Sequence, residues 1–291
     1  MKRIFVLGKD RSGTKWLSNI ILNSDKVKGI QSEYHRGIVE TNLFEVFPSI
    51  FGTLNRIDNY IAFVETFTSG DFFRLTGLEK KLLYENRFKD YLTVFEFVMD
   101  AFTRKEGGKA WLQKAHILNF FKLKKKFPDA NFIIIERAFL DNVKSAINFQ
   151  KKIGIKGSLT REVLLYILSK KARKKIIRKF PVFFIKYSDI KNKNIELLIK
   201  IFEFAGIEFK ECFLDVSYRK NTSFSNREEK ERYGKWFDVK SLFLYYLFSC
   251  IPFKIMILFY ALYRKCFSKT SIIGGSFSLI SDEFSLEKVE Y

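Results

Sequence analysis

Residues 3–17 read Arg3-Ile4-Phe5-Val6-Leu7-Gly8-Lys9-Asp10-Arg11-Ser12-Gly13-Thr14-Lys15-Trp16-Leu17. The apolar run at 4–7 predicts a buried first strand, residues 8–13 a glycine-bearing loop, and residues 14–23 a helix. Backbone N–H groups at such a loop and at the helix N-terminus point inward, and the helix dipole favours negative charge, so the segment is an anion cradle. Ser12, Thr14 and Lys15 add side-chain donors. The spacing comes close to the Walker pattern GxxxxGK(S/T), with Gly8 and Gly13 in place. Thr14, however, stands where the lysine belongs, and Lys15 where the magnesium-binding hydroxyl belongs. The later run at 133–135 ends in Glu136-Arg137 rather than in a Walker-B aspartate.

Working outward, a second strand is expected around residues 27–31. Residues 40–104 carry apolar positions at helical spacing. A basic amphipathic helix is predicted over 117–126, stopped by Pro128. The runs at 132–135 and 182–185 are short, apolar and rich in β-branched or aromatic residues, which marks buried parallel strands. Helices are predicted over 141–151 and 193–205, the latter ending at Gly206. Strands alternating with helices give an α/β fold: three layers, with a central parallel sheet flanked by helices and a P-loop-like anion loop. The expected division is an α/β domain over 1–240, apolar helices over 241–267 and a polar tail over 268–291.

The composition supports a sizeable core: 47% of the 291 residues are apolar, including 34 Phe, 13 Tyr and 3 Trp. That excludes a wholly disordered or low-complexity chain. Lys and Arg number 52 against 32 Asp and Glu, a net charge of +20, so the surface attracts anions. Aromatics are spread through apolar segments rather than interleaved with Lys and Arg, which makes nucleic acid the weakest partner on offer. Three cysteines and two histidines argue against a disulfide framework or a zinc site, and no metal is expected. The first apolar run is too short for a signal peptide, so the catalytic body is expected on the cytoplasmic side.

Residues 11–17 resemble the 5′-phosphosulfate loop of sulfotransferases that use 3′-phosphoadenosine-5′-phosphosulfate (PAPS), a motif of the form P/R-K/R-S-G-T-T/N-W-L. Asp10 replaces a common proline and Lys15 replaces Thr or Asn. In that family a strand ends in Arg, and eight residues later a Ser joins it on the 3′-phosphate; Arg137 and Ser145 keep this spacing. Ala138 and Phe139 depart from the family's R-D-P-R-D-x-x-x-S. Trp111-Leu112-Gln113-Lys114, Lys186-Tyr187-Ser188-Asp189 and Tyr233-Gly234-Lys235-Trp236 are similar to three further family segments. The chain is identified on these residues as a member of the PAPS-dependent sulfotransferases, closer to the carbohydrate and tyrosine type than to the phenol type.

The resemblance implies an α/β sulfotransferase that moves a sulfuryl group from PAPS to an acceptor hydroxyl, without a metal. It implies donor contacts from Arg11, Ser12, Gly13, Thr14, Lys15, Trp16, Arg137, Ser145, Tyr187, Gly234 and Lys235. Arg11 and Lys114 correspond to the residues that stabilise charge on the transferring group. The expected general base is Glu33, pictured as enclosed by Trp16 and Tyr34, with His35 and then His116 as alternatives. A P-loop kinase or NTPase, and a catalytically lapsed membrane-binding member of the fold, are the competing readings.

Residues 242–263 are almost wholly apolar, interrupted by Pro252 and Lys254. Three readings compete: a pair of short helices lying in a membrane surface, a core helix packed on the main domain, and a span. The favoured one is surface attachment, with Lys254 snorkelling. Residues 170–179 form a basic amphipathic stretch that would guide an anionic donor or acidic glycan, attach to anionic lipid, or be a solvated face. The expected location is cytoplasmic and peripheral at the membrane, and the expected acceptor a carbohydrate or glycolipid.

Overall fold

The computed structural model describes residues 1–192, 194–214 and 233–260. The strands are β1 (Lys2–Gly8), β2 (Val27–Lys28), β3 (Gln31–Ser32), β4 (Gly37–Ile38), β5 (Ala110–His116), β6 (Asn131–Glu136) and β7 (Phe183–Lys186). The helices are α1 (Thr14–Leu22), α2 (Val46–Phe51), α3 (Ile57–Ser69), α4 (Asp71–Arg74), α5 (Lys81–Asn86), α6 (Tyr91–Lys105), α7 (Phe120–Lys126), α8 (Phe139–Lys152), α9 (Leu159–Lys179), α10 (Tyr187–Lys191), α11 (Ile195–Ala205) and α12 (Lys235–Ser249). A last helix, α13, covers Phe253–Tyr260.

Five strands form a parallel sheet in the order β2-β5-β1-β6-β7. The central strand is buried on both faces, and its alternation divides the core. Phe5 and Leu7 point into an aromatic cluster with Phe95, Trp111, Phe127 and Phe132. Ile4 and Val6 point the other way, toward Ile20 and Ile21 of α1 and Ile201 and Phe202 of α11. That two-sided burial is what makes a parallel strand read as a continuous apolar run. The Phe5 ring stacks on Phe132 at 5.3 Å and meets Trp111 edge-on at 5.3 Å. The buried Trp111 indole donates to Asp100 Oδ1 at 2.7 Å, so its polar atom is satisfied.

Two expectations are corrected in detail, and one strand was not expected. The strand expected around 27–31 is split: β2 joins the main sheet, while β3 pairs with β4 in a separate antiparallel hairpin. The helix expected over 117–126 is a 3-10 turn, Ile117–Asn119, followed by α7. Strand β5 is not evident in the sequence, because Gln113, Lys114 and His116 break its apolar pattern. Gln113 is nevertheless fully buried; its Nε2 donates to the carbonyls of Val39 and Lys114, both at 3.1 Å.

The apolar segment near the C-terminus breaks before Pro252, and α12 and α13 meet at 110°. Since α12 begins at Lys235, the boundary drawn at residue 240 falls inside a helix. The helix pair docks on α8 and α9 through a third cluster containing Val143, Ile147, Val163, Ile167 and Met256. Residues 261–267 and the tail over 268–291 lie outside the described residues, as does Lys193 at the start of the helix expected over 193–205.

Candidate active site

Parallel strands present their C-terminal ends on one edge, and a crevice opens where the strand order turns outward on either side of β1. The loop at 8–13 lies there. Gly13, the residue before α1, has φ 101, and a Cβ on it would lie 2.4 Å from the Tyr187 ring. Glycine is therefore required twice, for conformation and for space. Arg11 is also left-handed, at φ 67. The loop is held from behind: Lys9 forms a buried ion pair with Glu162 of α9 at 2.7 Å, and Asn142 of α8 donates to the Asp10 carbonyl at 3.0 Å.

The structure brings together the two segments that the sequence expects to bind the donor phosphates. Arg11 Nε donates to Ser145 Oγ at 3.3 Å, and the Arg11 guanidinium lies 4.9 Å from the Phe149 ring centre. Arg137, just past β6, donates through Nη1 to the Arg11 carbonyl at 3.4 Å, and its guanidinium lies 4.9 Å from the Tyr187 ring centre. Tyr187 in turn meets Trp16 edge-on at 5.7 Å. Burial, then the charge of Arg137, lowers the Arg11 pKa from its ordinary value, with Asp10 and Glu40 opposing. Ser12 Oγ and Arg137 Nε are buried without a hydrogen-bond partner. Orphaned polar atoms cost about 1–3 kcal/mol each, so this cradle fits an anion that would satisfy them. Thr14 is buried in the first turn of α1, at the same end of the helix.

The other half of the site rests on Lys15, Lys114 and Glu40, a carboxylate not among the residues expected from the sequence. Lys114 lies on β5 in register with Val6 of β1, and it is ion-paired with Glu40. Its side chain is 11% exposed and that of Glu40 32%. Lys15 Nζ donates to the His35 carbonyl at 2.8 Å; burial, then the charge of Lys114, lowers its pKa to about 8, with Glu40 opposing. Burial by itself would raise the Glu40 pKa. Lys114, Lys15 and Arg11 outweigh it and hold the carboxyl below its ordinary range.

Two contacts place Glu40. Gln113 of β5 donates to the Val39 carbonyl at 3.1 Å. Asn19 of α1 grips the β3–β4 hairpin, accepting from Ile38 N and donating to the Arg36 carbonyl, both at 3.1 Å. Gly37 has φ 111, and a Cβ there would strike the Asn19 amide at 2.2 Å. A sequence signal existed: Glu40 directly follows the apolar pair Ile38-Val39, a strand-like run.

The enclosure pictured for Glu33 is corrected. Glu33 is exposed in the turn of the hairpin, where its carbonyl accepts from Arg36 N at 2.8 Å, and Tyr34 beside it is exposed too. The His35 ring is turned to Asp71, with Nε2 3.0 Å from Asp71 Oδ2 and both side chains 10% exposed. His116 ends β5 opposite Gly8 and accepts from Leu118 N through Nδ1 at 3.3 Å. Gly234 and Lys235 are exposed at the start of α12. Their neighbour Tyr233 hydrogen-bonds Asn148 of α8, one turn beyond Ser145, so that segment packs on the helix that carries Ser145. No cluster of His, Cys, Asp or Glu suited to a metal occurs among the described residues.

A strand–loop–helix cradle at the C-terminal edge of a parallel sheet, lined by two arginines and two lysines, defines a P-loop-like α/β protein built to hold a phosphorylated ligand. Residues 3–211 match the model of the sulfotransferase family, and the chain belongs to that family. Two solved structures share the fold. The sulfotransferase domain from the curacin biosynthetic pathway is 13% identical, with a TM-score of 0.50 over 75% of this chain and 78% of that one. The sulfotransferase domain from the Synechococcus PCC 7002 olefin synthase is 11% identical, with a TM-score of 0.50 over 86% and 96%. No curated protein sequence matches the chain. The protein is an enzyme of the PAPS-dependent sulfotransferase class.

Proposed function

We propose that this sulfotransferase sulfates a hydroxyl of a carbohydrate or glycolipid, and that Glu40 takes the acceptor proton. The observation that carries the assignment of the base is the contact of Glu40 with Lys114 beside Lys15 and Arg11. In-line transfer of a sulfuryl group breaks its bond to the phosphate oxygen of PAPS and forms one to the acceptor oxygen, whose proton must leave. By analogy with phosphoryl transfer, positioning and charge stabilisation supply most of the rate. The loop amides, Ser12 and Thr14 hold the 5′ end of the donor, and Arg137 with Ser145 holds its 3′-phosphate. Arg11, Lys15 and Lys114 balance charge on the transferring group.

Glu40 is a poor base while three cations face it unscreened. Donor anions engage those same cations, the burial of Glu40 remains, and its pKa rises toward the working pH. The acid limb of kcat, which reports the complex, then lies at higher pH than the acid limb of kcat/KM, which reports the free enzyme. The acceptor class rests on location: the helix pair against α8 and α9 puts an apolar, basic surface on the helix layer that borders the donor loop.

The test combines calorimetry with 3′-phosphoadenosine-5′-phosphate (PAP), the desulfated donor, and turnover against a panel of sugars and glycolipids. Glu40→Gln is expected to lower kcat by about 10²–10⁴-fold while PAP still binds, and Glu33→Gln to leave kcat within about twofold. A Glu33→Gln loss with Glu40→Gln active would return the base to the hairpin turn. Binding of ATP–Mg²⁺ in preference to PAP would instead favour the kinase reading.

A further inference from the structure

We propose that the outer face of α12 and α13, together with the basic stripe of α9 beside it, is a docking surface for an anionic lipid bilayer, on which the enzyme lies without crossing it. From Leu242 to Phe248 and again from Ile255 to Tyr260 the two helices carry apolar side chains on both their inner and outer faces, which a helix at a solvent boundary does not. Their inner face is accounted for: Leu244, Tyr245, Phe248, Ile251 and Met256 pack against α8 and α9. Among the described residues their outer face is uncovered, with Trp236 85% exposed, Phe243 66%, Tyr246 67% and Leu258 60%. Positions 236, 239, 243 and 246 recur at helical spacing and form one stripe. Single exposed apolar residues are ordinary, whereas a contiguous stripe marks an interaction surface.

Charge selects the partner. Lys240 and Lys254 are exposed on the two helices, and Lys174, Lys175, Arg178 and Lys179 on α9. Lys175 Nζ lies 5.9 Å from the Phe253 ring centre, so the basic stripe adjoins the apolar one. The one acidic residue of α12 and α13, Asp238, is ion-paired with Lys144 at 2.7 Å. A second copy of the chain would set this face against itself in a two-fold dimer, lysine stripe to lysine stripe, which costs free energy. An anionic surface attracts every one of those side chains, at about 1 kcal/mol per Lys or Arg near the membrane.

Geometry selects the mode. No single described helix is long and apolar enough to cross a membrane, and the pair is bent by 110°. At 1.5 Å per residue α12 is about 22 Å long, short of the roughly 30 Å hydrocarbon core. Lying in the interface suits the composition, because Trp and Tyr rings settle at headgroup depth while lysine heads reach the phosphates.

The test is sedimentation of the full-length chain with phosphatidylcholine vesicles, with and without 30% phosphatidylserine. Trp236 emission in brominated lipid serves as the depth gauge, with Trp236→Phe as its control. Binding to the anionic vesicles is expected, weakened at least tenfold by Phe243→Glu/Leu258→Glu and also by Lys175→Glu/Arg178→Glu, with Trp236 quenched. PAP calorimetry on each variant shows that the fold and donor site survive. Failure of the wild-type chain to sediment with anionic vesicles overturns the proposal. So does equal binding by the Phe243→Glu/Leu258→Glu variant, or a dimer in light scattering that this variant dissolves.

Discussion

At the scale of the residue, the site divides into what a short stretch of chain determines and what it does not. Arg11, Ser12, Gly13, Arg137 and Ser145 were legible because a strand end, its loop and the next helix turn place them, and that geometry is local. Glu40 was not: its position depends on a hairpin turn at 33–36, on Asn19 of α1 and on Gln113 of β5, seventy-three residues further on. Lys15 was read as an extra donor, but its titration could not be seen, since it follows from burial beside Lys114. With its pKa at about 8 in the folded protein, Lys15 has a definite pH signature. Below pH 8 both folded and unfolded chains carry the proton, and the cost of burying the charge is fully present. Between pH 8 and the ordinary lysine value the unfolded chain holds a proton that the folded chain has shed, so stability rises with pH across that window. PAP binding has the opposite preference, because the anion recruits the charged form. Calorimetry at pH 8 in buffers of different ionisation enthalpy is expected to show uptake of about half a proton per PAP bound. Lys15→Met is expected to abolish that uptake; uptake that survives the substitution would place the titrating group elsewhere.

At the scale of the element, β1 and β6 were readable because strands buried on both faces spell continuous apolar runs, while β5 hid behind Gln113 and Lys114. The residues that concealed the strand are the ones that serve the site, one steering Glu40 and the other pairing with it. A similar division of labour joins the anion loop to α9. Lys9 and Glu162 are each 5% exposed, and Gln150 of α8 donates to the same carboxylate at 2.7 Å. Lys9, followed by Arg161 and Gln150, outweighs the burial that would raise the Glu162 pKa and holds it low. Removing one member of a buried pair leaves an uncompensated charge, whereas removing both does not. Urea denaturation is expected to show a loss of about 3–5 kcal/mol for Lys9→Met, and a smaller loss for Lys9→Met/Glu162→Leu. A double variant less stable than the single one would mean that the pair itself holds the loop, rather than merely avoiding a buried charge. Thermal denaturation with and without PAP separates loop geometry from stability, since a displaced loop loses the ligand-induced shift.

At the scale of the whole molecule, the net charge of +20 acts on folding and on donor binding with opposite signs. Like charges crowded on a compact body repel one another, so screening stabilises the folded state, while the same screening weakens attraction of the anionic donor. Raising salt from about 0.05 to 0.5 M shortens the Debye length from roughly 14 to 4 Å. The melting temperature of the free protein is therefore expected to rise over that range while PAP affinity falls. The kinetic origin of the fall distinguishes field from contact. Exposed lysines of α9 such as Lys174 and Lys179 act on the donor through the field alone, so Lys174→Glu/Lys179→Glu is expected to slow PAP association severalfold and leave dissociation unchanged. Arg137→Ala removes the proposed contact with the 3′-phosphate and is expected to speed dissociation about 10–100-fold with little change in association. Stopped-flow emission from Trp16, which meets Tyr187 at the cradle, reads both rates. If the α9 variant altered dissociation instead, the basic stripe would belong to the donor site itself, and the partner of that stripe would be the nucleotide rather than a lipid surface.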